Sequence, residues 1–172
     1  MKVNVKMIGN WAKCSHLLNT LDRNIRDASI SAQRRIAEKY VRLVKSHLRR
    51  QDIPGWTPLN PRYADYKMGK YGHEDILLAT YLMYDSIDSW RSQNVYFAGI
   101  KKGISYPNGV LVSRVAEIHE AWSGMPDKPY RPLWSYTWKN DLGGNKGVRE
   151  EFIRTIKEKL KRKGYPVRRL GL

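Results

Sequence analysis

A chain of 172 residues has room for one domain and one hydrophobic core, so folding requires neither a metal nor a disulfide. Lys and Arg outnumber Asp and Glu by 32 to 16, a formal net charge of +16 that favours polyanionic or acidic neighbours. A hydrophobic fraction of 41% with six Trp and eleven Tyr excludes a mostly disordered chain; the single Cys14 excludes an internal disulfide and a cysteine-built zinc site.

Residues 2 to 8 alternate polar with apolar and read as a short strand or as an arm that pairs only in an assembly. They do not extend into the apolar core of a signal peptide, and no run approaches the ~20 apolar residues of a membrane span, so a soluble protein without its own export signal is expected. From Trp11 to Gln51 there is no Gly or Pro, and Ile25, Ala28, Ala32, Ile36, Tyr40, Leu43 and His47 recur at helical spacing. This predicts one long amphipathic helix, with a break near Asn24 as the alternative. Its opposite face carries Arg34, Arg35, Lys39, Arg42, Lys45, Arg49 and Arg50, either a solvated face or a contact with a partner or DNA.

Three prolines and a glycine between Asp52 and Pro61 end that helix in an irregular connection, with Trp56 expected to anchor it to the body. A short helix over Arg62 to Met68 follows, then a turn bracketed by Gly69 and Gly72. Ile76 to Ile87 is the most apolar run and reads as a helical turn leading into a strand. Residues 86 to 104 carry β-rich patches, closed by Lys101-Lys102-Gly103 as a turn. Val112 to Trp122 has helical spacing. Leu133 to Trp138 alternates large residues and reads as a strand, with a short helix as the competing reading. Asp141 to Gly147 is a break, after which Val148, Phe152, Ile156 and Leu160 mark a second helix. The domain is expected to cover residues 1–163, with 164–172 a basic mobile tail, because Lys161, Arg162, Lys163, Arg168 and Arg169 place five positive charges within nine residues.

Motifs for chemistry are scarce. His16, His47, His73 and His119 lack metal-ligand spacing, and Gly143-Gly144-Asn145-Lys146-Gly147 lacks the ending of a phosphate-binding loop. Ser15-His16 and Ser46-His47 are helix neighbours whose side chains point about 100° apart, so neither forms a nucleophile pair. His73-Glu74-Asp75 and Glu117-Ile118-His119-Glu120 are the acid-rich clusters from which a metal-dependent nuclease would be built.

Four segments in chain order carry a resemblance: Trp56-Thr57-Pro58-Leu59 after a long helix; Ile76-Leu77 with Thr80, Leu82, Ser86 and Ile87; Ala116-Glu117-Ile118-His119-Glu120 followed by Gly124; and Arg131-Pro132-Leu133. Together they resemble the phage virion-morphogenesis and tail-completion (head-tail joining) family over about residues 20 to 160. The chain departs from that pattern at Tyr81, where the family commonly has Gly, at Ala121-Trp122-Ser123, which lengthens the step to Gly124, and in its basic tail.

The resemblance implies an α+β subunit in which a small antiparallel sheet packs against a long N-terminal helix and a C-terminal helix. It further implies a homo-oligomeric ring, a hexamer, at the neck or tail top of the virion, assembled in the bacterial host cytoplasm. Its partners would be copies of itself, head-side connector or adaptor proteins, tail tube or tail terminator proteins, and packaged DNA in the channel, without membrane, cofactor or catalysis. Trp56, Arg131 and Pro132 would then lie near subunit contacts, since Trp and Arg are enriched where surfaces associate; the plainer reading has Arg131 pairing with Glu120. The basic tail residues Lys161, Arg162, Lys163, Arg168 and Arg169 would meet an acidic partner or DNA. A basic DNA-binding protein is the alternative from another class, and a metal-dependent nuclease a third.

Overall fold

The computed structural model describes residues 9–78, 80–121 and 130–167. Helix α1, Trp11–Arg50, is 40 residues long and therefore about 60 Å end to end. Asn10 starts it by accepting a hydrogen bond from the Lys13 N–H at 3.0 Å, and His47, Arg49 and Arg50 sit in its last turn, where the helix dipole favours positive charge. No break occurs at Asn24, which lies mid-helix. Gln51 closes the helix in the left-handed conformation (φ 53°), and its side chain clasps the next element: Oε1 accepts from the Ile76 N–H at 2.8 Å and Nε2 donates to the Ile76 carbonyl at 3.2 Å.

The hairpin, the π turn and the C-terminal helix pack along α1. Helix α2, Pro61–Tyr71, follows the proline-rich connection, starts with Asn60 accepting from the Arg62 N–H and ends at Gly72. It extends past the expected boundary at Met68, so Gly69 is helical and only Gly72 makes the turn. The apolar run then does what its pattern implied, as α3, Leu82–Ser86, leads directly into β1, Ile87–Ser92. Strand β2, Val95–Ile100, returns antiparallel, pairing Ile87 with Ile100 and Ser92 with Val95. Among the described residues the expected sheet is this two-stranded hairpin, and Ser105 and Leu111 pair in an isolated antiparallel bridge apart from it. Gln33 of α1 accepts the Tyr96 N–H at 3.1 Å, which fastens β2 to the helix, and Lys101 crosses the hairpin to Asp88 at 2.6 Å.

Helix α4, Val112–Ala121, matches the predicted helix as far as the described residues reach. Leu133 to Trp138 is not a strand. Residues 134–136 form a helical turn, α5, that runs into a π turn at Thr137–Asp141. The large residues are spaced for this: Leu133 and Thr137, four apart, are both buried, while Trp134 and Trp138, also four apart, flank the Tyr40 ring with centroids 6.1 and 6.0 Å away. The expected break at 141–147 is shorter than the composition suggested, because helix α6 spans Gly144–Arg162. Gly143 and Gly144 turn the chain with positive φ, and Gly147 has to be glycine because a Cβ there would collide with the Leu142 carbonyl oxygen.

Among the described residues three apolar clusters result. Val44, Leu48, Ile53, Leu78, Ile87 and Leu133 form the main core at the C-terminal half of α1. Ala28 and Ala32 let α6 approach closely, with Ile156 and Leu160 filling the contact. Met83, Val112 and Ala116 join α3 to α4.

The second cluster also receives Tyr165 and Val167, residues that the sequence places in an unanchored tail. The Tyr165 hydroxyl donates to the Leu17 carbonyl at 2.8 Å, accepts from the Asn24 amide at 2.7 Å and lies 2.9 Å from the Thr20 hydroxyl. One aromatic residue thus ties the chain after α6 to the N-terminal half of α1. The expected strand at residues 2 to 8 lies outside the described residues. Tyr165→Ala, which removes ring and hydroxyl together, is expected to lower stability by about 2 kcal/mol. The check is a fall in the urea midpoint at unchanged slope; an unchanged midpoint would mean that this contact contributes nothing to folding.

Candidate functional site

The residues singled out for partner contact divide into two groups. Trp56, Arg131 and Pro132 come together where the connection after α1 crosses the segment before α5. The Trp56 indole N–H donates to the Pro132 carbonyl at 3.3 Å, and the Thr57 hydroxyl donates to the Tyr130 carbonyl at 3.3 Å. Arg131 runs the other way, its Nε donating to the Thr57 carbonyl at 2.8 Å and Nη2 to the Pro58 carbonyl at 3.2 Å. Burial pulls the Arg131 pKa below its ordinary value, opposed by nearby Tyr63. Only 6% of this residue is exposed, so its guanidinium stitches two loops of the same chain.

The expected pair between Arg131 and Glu120 does not form. The Glu120 carboxylate instead receives the backbone N–H groups of Leu133, Trp134 and Ser135 and the Ser135 hydroxyl, so it caps the helical turn from α4. The reason is local: a helix start without its own capping side chain leaves N–H donors that attract a carboxylate. Glu117 pairs with Arg114 on the surface at 2.8 Å. The two acid-rich clusters therefore do not converge on one point, and among the described residues no group of three or more His, Cys, Asp or Glu is placed to hold a metal ion.

His47 shows the polar constellation that sequence reading missed. Its ring is buried and held on both sides, Nδ1 lying 2.5 Å from the Asp52 carboxylate and Nε2 2.8 Å from the Asp141 carboxylate, with Tyr136 edge-on at 5.5 Å. Asp52, five residues on, was visible as a neighbour; Asp141 arrives only through the fold. For Asp52, burial alone would raise the pKa, but the hydrogen bond and charge of His47 and the charge of Arg50 bring it below the ordinary value. This bridge locks the end of α1 to the π turn.

The second group lies elsewhere. Lys161, Arg162 and Lys163 are exposed at the end of α6 beside Tyr165, whereas Arg168 and Arg169 lie outside the described residues. Arg162 lies beside Ser31 and Arg34 in the middle of α1, whereas the Trp56 loop follows Arg50, so the two groups are separate along the helix. The basic face of α1 is partly neutralised within the chain: Arg34 meets Glu38 at 2.7 Å, Arg35 meets Glu151 at 3.1 Å, and Arg50 meets Asp52 at 2.8 Å. Lys45 and Arg49 cover the Tyr84 ring at 4.8 and 4.9 Å. Apolar surface is left open at Val95 and Phe97 on the hairpin and at Trp11, Leu18 and Ile25 on α1.

No protein-family model, curated protein or solved structure matches the chain. No helix among the described residues is long and apolar enough to cross a membrane.

The His47 bridge has a measurable acid signature. A carboxylate held below its unfolded pKa contributes stability that is present above about pH 4 and is lost as the pH falls through the lower folded value. The Tm is expected to fall as the pH drops below about pH 4. At neutral pH, His47→Gln is expected to cost roughly 1 to 3 kcal/mol and to flatten the acid limb, because Asp52 loses the partner that holds its pKa down. Melting curves across pH check both; a His47→Gln protein that melts like wild type at pH 7 contradicts the bridge.

Proposed function

We propose that the chain is a structural, non-enzymatic subunit of a tailed-phage particle, one of about six copies closing a ring at the neck between head connector and tail. The observation that carries the assembly part is the first section of α1. No residue between 11 and 27 is buried, and Trp11, Leu18 and Ile25 are 51%, 66% and 42% exposed. They are seven residues apart, so they form one apolar line along the helix, the spacing that a second helix can meet side by side. Large exposed apolar groups on a single line of a helix suit a neighbouring copy better than water.

The phage part rests on the four ordered motifs, and the backbone supports it at the place where the residues depart from the family. Tyr81, which stands where the family commonly has glycine, has φ 57°, the left-handed conformation that glycine adopts most easily. The chain makes the turn that the missing glycine would make. The net charge of +16 suits acidic neighbours or DNA in the channel of such a ring, and would also serve a discrete DNA-binding protein.

Sedimentation of the purified subunit with its particle neighbours, together with mass spectrometry of particles, separates these readings. The expected result is a closed oligomer of the 20.1 kDa chain, present in purified particles in about six copies. Leu18→Glu is expected to weaken association at least tenfold, equivalent to about 1.4 kcal/mol, with helix content unchanged. A protein absent from particles would contradict the proposal, and a monomer whose DNA binding collapses with rising salt would favour the DNA-binding reading.

A further inference from the structure

A cavity of about 450 Å³ opens between α2, α4, the loop after β2 and the segment at Arg131. We propose that it is a binding site for a small ligand that carries an oxyanion, a phosphate or a carboxylate, held between Lys67 and Arg131. Neither the resemblance nor the assembly reading assigns anything to this place.

The argument starts from burial. Lys67 is the largest fully buried side chain among the described residues, 1% exposed, although lysine normally keeps its ammonium in water. Its Nζ has three N–H donors, and the structure gives it one acceptor, the Asp75 carbonyl. Arg131, 6% exposed, lines the same cavity with five donors, and its side chain meets only the two carbonyls of Thr57 and Pro58. Among the described residues neither cation forms an ion pair with a carboxylate. Burial lowers the Lys67 pKa; the Asp75 charge opposes this from a distance, and the Arg131 charge adds to it. Two buried positive charges beside one cavity are unfavourable alone and are relieved by an anion placed between them.

The rest of the lining fits such a guest. Tyr63, Tyr106 and Asn108 bring hydroxyl and amide groups to the wall, and leucine, methionine and valine side chains supply an apolar remainder for the carbon part of a ligand. The volume lies within the range of small-molecule sites, roughly 300 to 1,000 Å³. Arg131 and Lys67 would then each have two duties, Arg131 stitching the Trp56 loop and Lys67 tying α2 to Asp75 while both face the guest.

The test measures the melting temperature and binding heat of the full chain with inorganic phosphate, a mononucleotide or N-acetylaspartate, each against chloride at equal ionic strength. At least one oxyanion at about 10 mM is expected to raise the Tm by roughly 3 °C or more over chloride. A larger response to phosphate compounds assigns a phosphate ligand, and one to N-acetylaspartate a carboxylate. Lys67→Met is expected to weaken binding at least tenfold while leaving the ligand-free Tm unchanged or raised, because it removes a buried charge and keeps the volume. Tyr106→Phe, which deletes one hydroxyl at the wall, is expected to fold normally and bind severalfold more weakly. The proposal is overturned if no oxyanion shifts the Tm beyond chloride, or if Lys67→Met binds as tightly as wild type.

Discussion

A single helix of 40 residues in water has little to hold it straight except what packs on it, since helix propensity alone is marginal and most helical stability comes from a buried face. The hairpin, the turn before α6 and α6 itself answer that constraint. The hairpin, the proline-rich connection and the turn at 133–137 bury the C-terminal half of α1 around Val44 and Leu48. Helix α6 covers the middle through Ala28 and Ala32, whose small side chains bring the two backbones near. Toward the N-terminus the support thins to Tyr165 reaching Leu17, Thr20 and Asn24. The gradient of burial along one helix gives the molecule a packed end and an open end.

Polar groups hold the packed end in register. His47 joins Asp52 and Asp141, Gln51 clasps Ile76, Arg131 gathers the carbonyls of Thr57 and Pro58, and Glu120 caps the turn at Leu133. Each joins segments far apart in sequence or closes a helix end that would otherwise leave donors or acceptors unmet. Trp56, Arg131 and Pro132 belong to this set, so a substitution there changes the fold's internal stitching before it changes any surface.

What the sequence made legible follows from periodicity. The apolar stripe of α1, the lower part of α6 from Val148 and the passage from α3 into β1 are local patterns, and local patterns survive folding. The misreadings share a cause. Leu133 to Trp138 alternates like a strand, but Glu120, distant in sequence, supplies the acceptor that starts a helix there. Gly143 to Gly147 has the composition of a linker, yet the close approach under the Leu142 carbonyl requires glycine inside a helix. Tyr165 and Val167 were counted with the charges around them, which concealed the one aromatic anchor of that segment. The burial of Lys67 had no local signal at all: nothing between Pro61 and Tyr71 indicates that the lysine, and not Tyr63 or Tyr66, lies on the inner face.

The gradient along α1 connects the fold to the proposed association: the packed half stabilises the chain, and the open half is the face on which a neighbouring copy is proposed to sit. Hydrogen exchange of the backbone amides, in the isolated subunit and in the assembled oligomer, tests it directly. The account predicts slow exchange over residues 28 to 48 in both states, and fast exchange over residues 11 to 20 that slows upon assembly. Equal protection along the whole helix in the isolated subunit, or no change over residues 11 to 20 upon assembly, would contradict it.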